Sequence, residues 1–213
     1  AKKFKKVYVG SYPELYKILK SNIEDLAPNI EIVKNEDTVK FQKFAMMMDL
    51  PYLLHKNFHN IPAKQSYIKA DERTSEMFKK NFFENNNLKI GLNWRAKGMG
   101  LRDAVYRTID APYYFKPIMD LPDVSYYSFQ FGDIFDMCEK YPQIMDIAPN
   151  FKDFSDTAAA LDNIDILITV DTALAHLAGA MGVKTYLLLC HAPDWRWFEN
   201  EHKTEWYPSV TIV

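Results

Sequence analysis

The chain has 213 residues, with 26 Lys+Arg against 28 Asp+Glu and a formal net charge of -2. That length suits one large domain or two small lobes, and 48% hydrophobic residues are enough for a core, which excludes global disorder. The near-neutral balance provides no overall basic field for nucleic acid or anionic lipid. No apolar run approaches the ~20 residues that a membrane helix needs.

The opening reads as strand, helix, strand. Lys6–Val9 is a short β-type run. Ser11-Tyr12-Pro13-Glu14 starts a helix, because proline suits a first turn and glutamate there meets the positive end of the dipole. Leu15, Ile18 and Leu19 follow at helical spacing, and Ile30–Val33 is a second strand. Phe41, Phe44, Met46–Met48, Leu50 and Tyr52–Leu54 are apolar without a clear period. A buried crossover or short helix is expected there, with a methionine-rich binding surface as the other reading. Ile61–Tyr67 is a connector. Asp71–Phe83 is a charged amphipathic helix, stopped by Asn85-Asn86-Asn87. The lobe boundary falls near residue 68, giving a partial N-terminal lobe over residues 1–68 and a second lobe over 69–213.

From Leu88 the pattern becomes regular. Strands are expected at Leu88–Leu92, Val124–Phe129, Ile144–Ile147, Ile164–Val170 and Val183–Leu189, helices at Ala111–Met119, Phe154–Leu161 and Thr172–Met181, and a short helix or turn at Ile134–Glu139. Asn93–Thr108 is a polar loop. The nearly all-apolar Ile164–Val170 suits a strand buried on both faces. Alternation of strand and helix argues for a parallel sheet with right-handed crossovers. Cys138 and Cys190 lack zinc or disulfide spacing and suit a reducing cytoplasm. His55, His59 and His202 carry no metal spacing.

The strongest local signal is the Ile164–Val170 strand turning through Asp171-Thr172 into the Ala173–Gly182 segment. Ligands of open parallel sheets sit at the carboxyl ends of strands. Free amides near Thr172, Ala173 and Leu174, with the helix dipole, form an anion site. His176 lies four residues after Thr172, on the same helix face. The competing reading is a plain capping residue at Asp171 or Thr172 and a core histidine at position 176.

Asp171-Thr172-Ala173-Leu174-Ala175-His176-Leu177-Ala178-Gly179-Ala180-Met181-Gly182 resembles the D-T-x-x-A-H-L-A-x-A-x-G segment of the heptosyltransferase-like glycosyltransferases of family 9. The chain is similar in particular to the glycosyltransferase domains attached to tetratricopeptide repeats in bacteria. Ile90-Gly91-Leu92-Asn93-Trp94-Arg95, Arg107-Thr108-Ile109, Ser128-Phe129-Gln130-Phe131-Gly132, Ala192-Pro193-Asp194-Trp195-Arg196-Trp197 and Trp206-Tyr207-Pro208-Ser209 resemble further stretches of that subgroup, in order, from about residue 88 onward.

The resemblance implies an α/β fold of the two-Rossmann-lobe (GT-B) kind with an incomplete first lobe. It implies a metal-independent, inverting transferase that takes a nucleotide-diphosphate sugar as donor, needs no other cofactor and acts on a glycan or protein acceptor. Thr172, the Ala173 amide and His176 are expected to hold the diphosphate, with Asp171 beside the sugar or setting the turn. Arg95 and Lys97 are expected to neutralise charge, or to lie on a solvated basic loop. Arg107 reaches the same pocket or pairs with Asp103 or Asp110. Gln130 contacts base or ribose, or is a turn amide. Trp94, Asp194 and Trp195 are candidate pocket walls, with packing as the alternative. No Asp-x-Asp motif points to a metal.

Two departures from the family pattern stand out. The usual base-bearing first loop has no counterpart before Lys5–Val9, and the strand and final helix expected beyond Ser209 meet a chain that stops at Val213. A fragment or shortened relative is therefore expected, with missing segments or a partner chain completing the first lobe. A non-catalytic nucleotide- or glycan-binding module is the alternative function. A dinucleotide oxidoreductase is disfavoured, since none of the 7 glycines forms G-x-G-x-x-G after a strand.

Overall fold

The computed structural model describes residues 4–24, 28–55, 66–96, 106–109, 112–132, 134–197 and 202–213. Strands β1 (Val7–Ser11) and β2 (Ile30–Lys34) form a two-stranded parallel sheet, with Val7 opposite Ile30 and Ser11 opposite Lys34. The Pro13–Ile23 helix connects them, with proline in its first turn as expected. Its Ile18, together with Leu15 and Leu19, packs into the same apolar cluster as Phe78, Phe83, Leu161 and Leu167. The small sheet thus leans on the larger layer instead of closing a core of its own.

The larger sheet contains β3 (Leu88–Asn93), β4 (Val124–Ser128), β5 (Ile144–Asp146), β6 (Ile166–Val170), β7 (Thr185–Leu188) and β8 (Val210–Ile212). All pairings are parallel, and the spatial order is β5-β4-β3-β6-β7-β8. The chain starts in the middle, walks outward through β4 and β5, returns beside β3 as β6, and walks outward the other way. That is the doubly wound Rossmann order, and its direction reverses between β3 and β6. Leu92 and Leu167, on those two central strands, are fully buried, as helices on both faces of a parallel sheet require.

Helix starts and stops follow local chemistry. Asp71 caps the Glu72–Phe78 helix by accepting from Thr74 N at 2.9 Å. Asp153 caps the Phe154–Leu161 helix by accepting from Ser155 N at 2.7 Å. Gly182 ends the Ala173–Met181 helix with φ 79°, a left-handed turn that a Cβ would oppose. The expected helix over Asp71–Phe83 changes to π-turns over Lys79–Phe83. The wider turns set Phe83 against Tyr127, with ring centroids 4.5 Å apart.

Two expectations need correction. The strand that the family pattern has beyond Ser209 is expected to be missing from this chain, yet β8 pairs with β7 there, because Val210 and Ile212 fill the cluster around Leu187 and Trp197. The Phe41–Leu54 stretch does contain a short helix, Leu50–Leu53, but it is not buried: Phe44, Met47, Tyr52 and Leu54 are all more than 60% exposed. Burial fails because the only buried apolar residues described before residue 70 are Ile18, Ile32, Val33 and Ile68, too few to build a layer over it.

Candidate functional site

The carboxyl ends of β3 and β6 meet at the point where the strand order reverses, the position where parallel sheets bind ligands. Asn93, the last residue of β3, ties the two ends together. Its Oδ1 accepts from Thr169 Oγ1 and from Thr172 Oγ1, both at 3.2 Å, and its Nδ2 donates to Gln130 Oε1 at 3.0 Å. Thr172 is the N-cap of the Ala173–Met181 helix, yet it makes no side-chain cap bond. Its hydroxyl is directed to Asn93 instead. The leading amides of Ala173 and Leu174 therefore precede the first intrahelical acceptor without being capped, and the positive end of the dipole lies with them.

Arg107 reaches this end of the sheet. Its Nη1 donates to the Asp171 carbonyl oxygen at 2.5 Å and lies 4.0 Å from Asp171 Oδ2. The contact with Asp171 places Arg107 beside the turn after β6. Asp103 and Asp110 lie outside the described residues, as does Lys97.

His176, one turn into the helix, is partly buried. Its ring stacks on Trp197 at 4.8 Å between centroids and 21° between planes. Its Nδ1 is 3.1 Å from the Tyr207 hydroxyl, and the phenol of Tyr67 lies beside that of Tyr207 and raises its pKa. Burial lowers the His176 pKa below its ordinary value, helped by the Arg196 charge and opposed by Asp171 and Asp194. The ring is therefore neutral at pH 7. Tyr207 lies across Gly179 so closely that a Cβ there would stand 2.4 Å from its ring. Burial and Tyr67 push its phenol well above the usual range, so it stays protonated.

The loop after β7 contributes a cation that the sequence reading did not single out. Arg196 Nη1 pairs with Asp194 Oδ1 at 2.6 Å, and its guanidinium lies 4.8 Å from the Trp195 ring centroid. Burial raises the Asp194 pKa, but hydrogen bonds from the Arg196 amide and guanidinium outweigh it, and the carboxyl stays below its ordinary range. The signal was present, since Arg196 sits in the same aromatic hexapeptide. Asn93 and Tyr207 were likewise within noted stretches but carried no assigned role.

Other expected residues lie elsewhere. Arg95 turns toward the helix after β4, pairing with Asp136 at 2.6 Å. Gln130 is buried, and its Oε1 accepts from Asn93 Nδ2, Trp94 N and Arg95 N at 2.7–3.2 Å. It braces the loop after β3, as the turn-amide reading expects. Trp94 is 1% exposed and packs on Phe115, so it belongs to the core and not to a pocket wall. An open hollow of about 600 Å³ lies at the opposite, amino end of the sheet. Its mixed lining of Lys79, Lys89, Glu84, Asp162 and Asp165 focuses no single charge, and that edge is not where parallel sheets bind ligands. No cluster of three metal-ligating side chains and no helix long and apolar enough to cross a membrane occurs among the described residues.

The fold and site together define a Rossmann-like parallel α/β chain with an uncapped helix N-terminus at its switch point. No protein-family model matches the chain. Protein FlbA of Caulobacter vibrioides is 24% identical to it over 190 residues, covering 82% of this chain and 30% of that protein. The chain thus spans less than a third of the length of this curated relative.

Proposed function

We propose that the chain carries the donor-binding half of a metal-independent, inverting GT-B glycosyltransferase of the cytoplasm. In this reading the diphosphate of a nucleotide sugar sits on the Ala173–Met181 helix end. One observation carries it: Thr172 leaves the helix amides uncapped at the sheet's switch point, while Arg107 holds the adjoining Asp171 and His176 follows one turn into the same helix. The ordered resemblance to family 9 supports the same reading.

The chemistry follows from charge. Departure of a nucleoside diphosphate builds negative charge on its terminal oxygens. Amides fixed in a helix end need no reorganisation to stabilise it. Arg107, anchored through Asp171, and Arg196, anchored through Asp194, add positive charge close by. The acceptor hydroxyl attacks from the opposite face, and a general base takes its proton.

Calorimetric titration with UDP, GDP, ADP and TDP tests binding, paired with a transfer assay on the corresponding sugars. Binding of at least one diphosphate at millimolar concentration or better is expected. A second reading is a non-catalytic binding module. Binding with no turnover selects it, and no binding at all rejects both.

A further inference from the structure

A neutral imidazole carries one N–H, so it can donate from one nitrogen only. In His176 the Nδ1 side faces the Tyr207 hydroxyl, and among the described residues Nε2 meets no hydrogen-bond partner. If the site takes a diphosphate as proposed above, Nε2 is the nitrogen left for its oxygen. To donate there, a neutral ring needs Nδ1 to accept. A ring that gains a proton beside the anion needs Nδ1–H to donate. A hydroxyl meets both demands by rotating, whereas a carbonyl or an amide meets only one.

We propose that Tyr207 is a positioning residue for diphosphate binding: its hydroxyl donates to Nδ1 of neutral His176, accepts from it once the ring is protonated, and so keeps Nε2–H toward the ligand in either state. Tyr67 completes the device. When Tyr207 accepts from the imidazolium, its own O–H needs an acceptor, and the Tyr67 oxygen supplies one. Trp197 fixes the ring plane by stacking, and Gly179 makes room for Tyr207. Tyr67 also ties the connector to the site, because Tyr67 N and Ile68 N both donate to Ala180 O, at 2.9 and 3.1 Å. The charged groups that face His176 are Asp171 and Asp194, which favour its protonation, and Arg196, which opposes it.

The device makes a signed pH prediction. A bound diphosphate favours the imidazolium, so proton uptake accompanies binding as pH falls toward 6, and only then is the Tyr207 oxygen needed as an acceptor. The test measures Kd for UDP, GDP, ADP and TDP from pH 5.5 to 8.5 in the native chain, Tyr207→Phe, His176→Gln and the double variant. Ratios of variant to native cancel the ligand's own titration. Tyr207→Phe should weaken binding about tenfold near pH 6, the scale of one hydrogen bond to a charged group, and only about twofold at pH 8.5. In the His176→Gln background the same change should do nothing. Tyr67→Phe should shift the ratio in the same direction by about two- to threefold, and it serves as the test if Tyr207→Phe does not fold. A loss equal at every pH, or one that persists without His176, overturns the proposal and reduces Tyr207 to packing. Unchanged binding by His176→Gln also overturns it while leaving the diphosphate site in place. A native chain that binds none of the four overturns the site and the device together.

Discussion

Arg107 Nη1 donates to the Asp171 carbonyl at 2.5 Å and stands 4.0 Å from the carboxylate of the same residue. One guanidinium thereby links the loop after β3 to the turn after β6. The Asp171 side chain is only 11% exposed, so it depends on that neighbour for compensation. Arg107→Ala should cost about 1–3 kcal/mol in urea unfolding, the penalty for stranding a buried polar group. It should also weaken diphosphate binding by about tenfold or more. Arg107→Lys keeps the charge but loses the planar fork, and should fall between the two.

Gln130 Oε1 is the acceptor for three N–H groups in a buried setting. Gln130→Ala leaves those donors without a partner and should destabilise the chain by roughly 2–4 kcal/mol. Because the side chain is spent on loop amides and on Asn93, the variant's residual folded fraction should retain diphosphate affinity within about threefold. Denaturant unfolding and titration separate the two effects.

Gly179→Ala sets two effects against each other. In an ordinary helix interior, alanine in place of glycine gains about 0.5–1 kcal/mol. Here the new Cβ would meet Tyr207 Cγ at 2.4 Å, and overpacking of that kind costs about 1–3 kcal/mol. The clash should win, lowering the melting temperature and loosening the Tyr207–His176 contact. A variant as stable as the native chain would show that Tyr207 does not pack on this helix.

Stability should fall with acid through His176. Its folded pKa lies below the ordinary value near 6.5, so between the two values the unfolded chain binds more protons. The stabilising contribution of the neutral ring is then complete above about pH 6.5 and is lost progressively as pH drops beneath it. Melting temperatures from pH 8 to 5 should show this slope in the native chain and a shallower one in His176→Gln.

Met47 and Tyr52 are 64% and 83% exposed. Met47→Ser and Tyr52→Ser should therefore change stability by less than about 0.5 kcal/mol, as surface substitutions do. A buried methionine cluster would instead lose about 2 kcal/mol or more per truncation. The same measurement checks the correction made to the Phe41–Leu54 stretch.

What the sequence determined by itself was the alternation of elements and the strand-to-helix turn on which the proposed site rests. Buried strands of a parallel sheet read as apolar runs, and Val170-Asp171-Thr172 announces a strand turning into a helix, both from local chemistry. Glycine at position 182 and aspartate at positions 71 and 153 set helix boundaries for the same reason. The tertiary structure alone decided which neighbours those residues met. Nothing local tells Arg95 to turn toward Asp136, or Gln130 to fold inward over the loop amides. Nothing local tells Thr172 to bond Asn93, which is 79 residues away. β8 is illegible from periodicity, because three residues carry no period and become a strand only when β7 offers a free edge. The sequence leaves Phe41–Leu54 undecided between burial and a methionine-rich surface, since hydrophobicity records a preference for burial while the available core decides whether it is met.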